Sequence, residues 1–199
     1  MEVMVKKFQS KFQKAREEMS QWDDLQSRLI SQFTNASHIL NRLQVLQKSS
    51  NYGILNCVAG VKDALLEKQI GSLNTILVSM KRTLEEFHRI VLSLEKISRD
   101  GKQLVKGNSS RPTMKQLQQR VGVKPRLIDC LDGLLFLHEI YYSEYLLKTS
   151  VVSAISSIAL MPSSASDLGA LQQLLVDQPN IVTEEVQFLI DTIFAEDLR

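Results

Sequence analysis

The chain has 199 residues, of which 44% are hydrophobic and 23% charged, and its formal net charge is +2. This composition excludes an intrinsically disordered chain, and the near-neutral charge argues against nucleic-acid binding through a large positive excess. The length fits one domain, or one domain with an extended arm, so we predict a single helical-bundle domain over residues 1–199. Only 4 Pro and 8 Gly interrupt the sequence, which favours long helices over many short strands.

The first predicted element is one long helix over residues 2 to about 48. Its apolar residues alternate by three and four positions, a heptad spacing that keeps one seam of a helix facing a partner. The seam positions are Val5, Phe8, Phe12, Ala15, Met19, Trp22, Gln26, Leu29, Phe33, Ala36, Leu40, Leu43 and Gln47. At 1.5 Å per residue the helix would be about 70 Å long, more than the width of a small domain. We therefore expect residues 1–24 to project as a coiled-coil arm or to pair with another chain, with Phe8, Phe12 and Trp22 contacting a partner.

A turn at residues 48–53, KSSNYG, is expected to end this helix, with Gly53 at a positive φ. A second heptad then extends from Leu73 to Leu94, after a kink or short break at Gly71. The segment 98–124 is rich in loop-forming residues. It is predicted to be a mobile crossover between helices that includes a short helix near residues 113–120.

The remaining sequence predicts a further long helix from about residue 125 to residue 160. Two short helices, at about 167–176 and 184–197, are expected to close the chain. Thr183 is the predicted N-cap of the last helix, and the two glutamates that follow it complement the helix dipole. No credible pair of strands occurs. The predicted fold is therefore all-α, an up-and-down helical bundle with a long heptad-patterned N-terminal helix and short C-terminal helices.

The candidate metal and catalytic motifs are each incomplete. His138-Glu139 would need a second histidine four residues after the first to bind zinc on one helix face, and Tyr142 occupies that position. Glu85-x-x-His88 fits part of a di-iron bundle motif, but the sequence has no second Glu-x-x-His. We therefore predict no catalytic, cofactor-binding or metal-binding residue, and a protein that is not an enzyme.

Other features bear on the environment and the partners. Cys57 and Cys130 are too few for a disulfide framework and are predicted to be small buried residues in a reducing compartment. No segment reaches the roughly 18 apolar residues of a membrane span, so no membrane contact is expected. The basic residues between Lys6 and Arg16 are predicted to form a solvated face of the coiled coil, not a nucleic-acid surface. Ser164 is either an acidophilic-kinase site or an ordinary loop serine.

The densest segment is CLDGLLFLHEIYYSEYLLK, residues 130–148, which combines leucines with three tyrosines. One face steps by four and three positions through Leu127, Leu131, Leu134, His138, Tyr141 and Tyr145. Aromatic side chains with a polar edge suit either the rim of a core or a protein interface. The pattern leaves both interpretations open.

Four segments resemble a known family: ALLEKQIGSLNTILVSM (64–80), YYSEYLLKTSVVSAI (141–155), SDLGALQQLL (166–175) and EEVQFLIDTIF (184–194). They are similar to AAA-ATPase-interacting ribosome maturation factors, also described as casein-kinase-II-substrate-like proteins, and the chain looks like a plant member of that family. The residues that carry the resemblance are Tyr141, Tyr145, Leu146, Ser153, Ile155, Asp167 and Leu168.

The resemblance implies a non-enzymatic adaptor in ribosome maturation, located in the cytoplasm and nucleus and needing no cofactor. Its implied partners are an AAA ATPase and a second small helical protein, and through them a late pre-60S ribosomal particle, with no direct sequence-specific contact to nucleic acid. Tyr141, Tyr145 and Leu146 are then candidate partner contacts. The alternative function is a coiled-coil scaffold or tether in membrane trafficking, because long heptad-patterned helices serve there too.

Overall fold

The structure is a computed structural model that describes residues 2–106, 113–119, 124–158 and 167–195. Its elements are helical throughout, and no strand occurs in the described ranges, which confirms the predicted all-α fold. In chain order they are α1 (Glu2–Gln47), a 3₁₀ helix (Ser49–Cys57), α2 (Val61–Lys106), α3 (Met114–Gln118), α4 (Leu127–Ile158), α5 (Asp167–Asp177) and α6 (Thr183–Ile193).

The chain divides into two compact units. Unit 1 comprises Met1–Asp23, Phe87–Tyr145 and Pro179–Arg199. Unit 2 comprises Asp24–Glu86 and Leu146–Gln178. Each of the three long helices therefore contributes one part of its length to each unit.

The core of unit 1 is built by the heptad seam of α1 against α2 and α4. Phe8, Phe12 and Trp22 are fully buried there. The indole of Trp22 meets the ring of Phe87 edge-on, with ring centroids 4.4 Å apart, and the ring of Tyr141 at 4.9 Å. Residues 2–23 belong to unit 1, where α2 and α4 of the same chain cover their apolar seam.

Polar contacts in unit 1 show that α1 and α2 run antiparallel. The Lys11 ammonium lies 3.3 Å from the carboxylate of Asp100, and the hydroxyl of Ser93 donates to the carboxylate of Glu18 at 2.6 Å. From the first contact to the second, the residue number on α1 increases by seven, from Lys11 to Glu18, and that on α2 decreases by seven, from Asp100 to Ser93. This is the register of two helices that run in opposite directions.

Unit 2 repeats the antiparallel pairing of α1 and α2. The guanidinium of Arg28 binds both carboxylate oxygens of Glu86, at 3.0 and 2.7 Å, and the hydroxyl of Thr83 donates to the side-chain carbonyl of Gln32 at 3.1 Å. Gln26, a polar position of the seam, is buried and donates from Nε2 to the backbone carbonyl of Leu175 in α5. This polar residue of the seam therefore forms a hydrogen bond to another helix of the same chain.

The helix boundaries differ from the predictions at two places in α2. The helix is unbroken at Gly71, where we expected a kink or short break. It also continues to Lys106, whereas we expected a loop from residue 98. For the extension beyond residue 98 the reason is burial: Ser98 and Gly101 are weak helix formers, yet both are buried, so tertiary packing holds them in the helix. Residues 107–112 and 120–123 of the predicted crossover lie outside the described residues, and α3 forms near the predicted short helix.

The turn after α1 and the start of α6 were predicted with mixed success. Gly53 lies at a φ of 51°, inside the 3₁₀ helix, so its predicted positive φ is confirmed. Thr183 is the first residue of α6 and not its N-cap, a position held by Val182 without any side-chain cap. Glu184 and Glu185 lie in the first turn, as predicted.

Candidate protein-binding surface on α4 and α6

Four of the predicted partner contacts are core residues of unit 1. The side chains of Phe8, Phe12 and Trp22 have no exposed surface, and Tyr141 is only 4% exposed. Burial, together with the charge of Asp23, raises the pKa of the Tyr141 phenol well above its ordinary value. These side chains present no surface to a partner in this structure, because the chain's own helices already fill the space around them.

The other two predicted contacts retain some exposed surface. The ring of Tyr145 is half-buried and stacks on the imidazole of His88, with centroids 5.2 Å apart. Leu146 is 46% exposed. His138 stacks on exposed Tyr142 in the same manner, at 6.0 Å. In the part of the chain that the structure describes, no group of three His, Cys, Asp or Glu residues could hold a metal ion.

A cleft of about 690 Å³ lies in unit 1 between the first turns of α4 and the length of α6. Its apolar floor is formed by Gly133, Phe136, Phe188 and Leu189. Phe188 is 74% exposed, and with Phe136 and Leu189 it forms a contiguous apolar patch, which is more informative than a single exposed apolar residue. The cleft is therefore lined by apolar surface that the chain itself leaves uncovered.

The cleft depends on a close approach of α6 to α4 at Gly133. A β-carbon on Gly133 would lie 2.6 Å from Cδ1 of Leu189 and 3.1 Å from Cζ of Phe12, so a side chain at this position would displace Leu189 from where it packs. The side chain of Leu189 packs against α4 at Gly133 and is half-buried. The floor of the cleft is part of the packing of unit 1 and not a loose loop.

Polar contacts fix α6 at both ends. Buried Glu144 accepts hydrogen bonds from the backbone N–H and the side-chain amide of Asn180, at 3.2 and 3.1 Å, just before α6 begins. At the other end, Nε2 of Gln9 donates to the carbonyl of Ile193 at 3.0 Å. The guanidinium of Arg16 lies 5.7 Å from the centre of the Phe194 ring, within the range of a cation–π contact.

The rim of the cleft is acidic. Its charged residues are Arg126, Asp129, Asp132, Glu184 and Glu185, so that four carboxylates and one guanidinium leave a net charge of −3. Arg126 is already engaged by Asp129, with nitrogen–oxygen distances of 2.8 and 2.6 Å, and this pairing raises its pKa. The surface that a ligand would meet is apolar in the middle and negative at the edges.

This surface was not predicted from the sequence, although α6 carries a signal for it. The buried residues of α6 are Val186, Ile190 and Ile193, which follow a helical period. Phe188 lies off that face, so its aromatic side chain has no place in the core. An aromatic residue on the polar face of a short helix indicates a binding surface more directly than the seam residues of α1 did.

The comparison with known families decides where the chain belongs. The CA109-like family, described as "Ribosome biogenesis protein C1orf109-like", matches residues 2–198, nearly the whole chain. The chain belongs to this family. Membership of the C1orf109-like family supports a role in ribosome maturation and association with pre-ribosomal particles, and it suggests a non-catalytic role. No curated protein matches the chain with significant similarity.

Within the described residues of this C1orf109-like protein, no helix is long and apolar enough to cross a membrane. Ser164, the candidate modification site, lies outside the described residues. The basic residues near the N-terminus contribute partly to internal contacts, since Lys11 pairs with Asp100 and Arg16 lies over Phe194. Lys6, Lys7 and Lys14 are exposed.

The two cysteines of this C1orf109-like protein differ in environment, which corrects the expectation that both are buried. Cys57 is exposed at the end of the 3₁₀ helix. Cys130 is buried in α4, and desolvation together with the nearby charge of Asp129 raises the pKa of its thiol to about 12. The reactive thiolate is therefore scarce at Cys130 near neutral pH.

We expect Ellman's reagent at pH 8 to label one thiol of the native protein within minutes and the second only after unfolding in denaturant. A thiol with a pKa of about 12, against the ordinary 9.0, has about a thousandfold less thiolate, and burial blocks the reagent as well. The variant Cys57→Ser should abolish the fast phase and Cys130→Ser should leave it intact. Fast labelling of native Cys57→Ser would contradict the buried position of Cys130.

Proposed function

We propose that this chain is a non-enzymatic adaptor that links an AAA ATPase to pre-60S ribosomal particles during ribosome maturation. The match of residues 2–198 to the ribosome biogenesis family carries the proposal. The resemblance of the segments around Tyr141–Leu146 to AAA-ATPase-interacting factors supplies the partner. A second small helical protein belongs to the proposed assembly, which acts in the cytoplasm and nucleus.

Helix–helix contacts are the proposed means of binding. An all-helical chain offers helix faces and the clefts between them, and helix-on-helix burial is a common source of affinity between proteins. Among the residues first predicted as contacts, Tyr145 and Leu146 retain exposed surface and remain proposed contacts. We propose that the chain reaches the pre-ribosomal particle through protein partners, since its net charge of +2 gives little attraction for RNA.

Affinity capture of the tagged full-length chain from a cell lysate tests this proposal. We expect an AAA ATPase, a small helical protein and pre-60S proteins among the captured proteins, and sedimentation of part of the chain with 60S-sized particles. Recovery of neither an AAA ATPase nor any pre-ribosomal protein would overturn the proposal. Sedimentation with membranes instead would favour the alternative of a trafficking tether.

A further inference from the structure

We propose that the cleft between α4 and α6 binds a short, basic, amphipathic helix of a partner protein. This inference rests on the adaptor function proposed above, because that function supplies the class of partner protein. It adds the place on the chain where such a partner would bind. Three properties of the cleft support this choice of ligand: its shape, its charge and its rigidity.

The shape fits two to three turns of a helix. The lining residues extend from Arg126, the residue just before α4, to Phe136 on α4, and from Glu184 to Thr192 on α6. At 1.5 Å per residue these stretches are about 15 and 12 Å long. A groove between two helices accepts a third helix whose apolar residues recur at three- and four-residue intervals, the pattern of helix-in-groove recognition.

The charge selects a basic ligand. Asp132, Glu184 and Glu185 surround the apolar floor together with the Arg126–Asp129 pair. An acidic segment or a nucleic-acid phosphate would be repelled by these carboxylates, whereas lysine or arginine at the edges of an amphipathic helix would face them. The apolar floor in turn needs an apolar stripe on the ligand, which RNA does not provide.

The cleft is formed before a ligand arrives. Leu189 is wedged at Gly133, and α6 is fixed by Glu144 at its start and by Gln9 at its end. A preformed floor reduces the ordering cost of binding. Phe188 is the exposed apolar anchor, and aromatic anchors commonly dominate the affinity of protein interfaces.

Fluorescence anisotropy with the full-length chain tests the proposal directly. The probe is a labelled 14-residue helical peptide with leucines at three- and four-residue intervals flanked by lysines. The comparison peptides are a scrambled peptide of the same composition and a peptide with glutamate in place of lysine. We expect saturable binding of the first peptide only, and weaker binding as salt increases.

Two variants address the anchor and the rim, each with a matched control elsewhere on the surface. Phe188→Ser is expected to weaken binding by at least tenfold, and Glu185→Lys by about fivefold to tenfold. The controls are Ile54→Ser, since Ile54 is also strongly exposed, and Glu67→Lys on the exposed face of α2. Both controls are expected to bind as the unchanged chain does.

Several outcomes would overturn the proposal. They are absence of binding at millimolar peptide, equal binding of the scrambled peptide, or equal loss of affinity in the groove and control variants. Binding of single-stranded RNA that Phe188→Ser abolishes would assign the cleft to nucleic acid. A dimer of the chain that dissociates in Phe188→Ser would assign it to a second copy.

The same variant separates this inference from the proposed function. If lysate capture recovers the ATPase and pre-60S proteins and Phe188→Ser captures them equally, the adaptor function stands and the cleft is not its docking site. If the unchanged chain captures neither, the adaptor function fails, and the peptide measurements still decide whether the cleft binds a basic helix.

Discussion

Replacing Trp22 with alanine is expected to lower the free energy of unfolding by about 3–5 kcal/mol, the cost of truncating a large aromatic residue in a well-packed core. Trp22 is fully buried and contacts Phe87 and Tyr141 through edge-to-face ring packing. Such aromatic pairs stabilise a core by about 0.5–1.5 kcal/mol beyond the area that they bury. The loss of both pairs places this substitution at the upper end of the range.

Urea denaturation followed by far-ultraviolet circular dichroism measures this effect. Fluorescence is unsuitable for the comparison, because Trp22 is the only tryptophan of the chain. Phe188→Ala is the matched control: it truncates an aromatic residue of the same unit that is 74% exposed, and it should change the free energy by no more than about 0.5 kcal/mol. If Trp22→Ala costs less than 1 kcal/mol, residues 2–23 do not form the core described above.

The second large effect is expected at Gly101. Leucine at this position should destabilise the protein by about 1–3 kcal/mol, because inserted side-chain atoms force a packed core apart. A β-carbon there would already lie 2.8 Å from Cδ1 of Leu134 and 3.3 Å from Cε1 of Phe8. A longer side chain would therefore separate α2 from both α1 and α4.

Gly71 provides a matched control on the same helix. It is exposed, and outside its own helical turn and chain neighbours nothing lies within 4 Å of the β-carbon that a substitution would add. Gly71→Leu should stabilise the protein by about 0.5–1 kcal/mol, since leucine is a better helix former than glycine. Opposite signs for Gly101→Leu and Gly71→Leu in thermal or urea unfolding are the expected result. A stabilising Gly101→Leu would show that α2 is not packed at this point.

The heptad of α1 predicted its buried face well. Phe8, Phe12, Trp22, Leu29 and Phe33 were placed on one seam, and all are fully buried. Periodicity identifies which side of a helix is apolar because side-chain direction repeats with the helical turn. It does not identify what covers that side, which in this structure is formed by α2 and α4 of the same chain.

The segment after Ile97 shows the opposite case. Ser98 and Gly101 are weak helix formers and were predicted to belong to a loop, yet both are buried within α2. Local propensity amounts to less than about 1 kcal/mol per residue. Burial of a helix face against neighbouring helices outweighs it, and that contribution depends on residues distant in sequence, such as Phe8 and Leu134.

The helical class, the order of the helices and the apolar seam of α1 can be read from the sequence, because they follow from short-range periodicity and from the positions of glycine and proline. Three features depend on tertiary packing: the seam is an internal core, the chain forms two compact units, and Phe188 lines an acidic cleft. They cannot be read from periodicity, because the exposure of a side chain depends on the space between helices. That space is set by side chains far apart along the chain, as where Gly133, Leu189 and Phe12 meet.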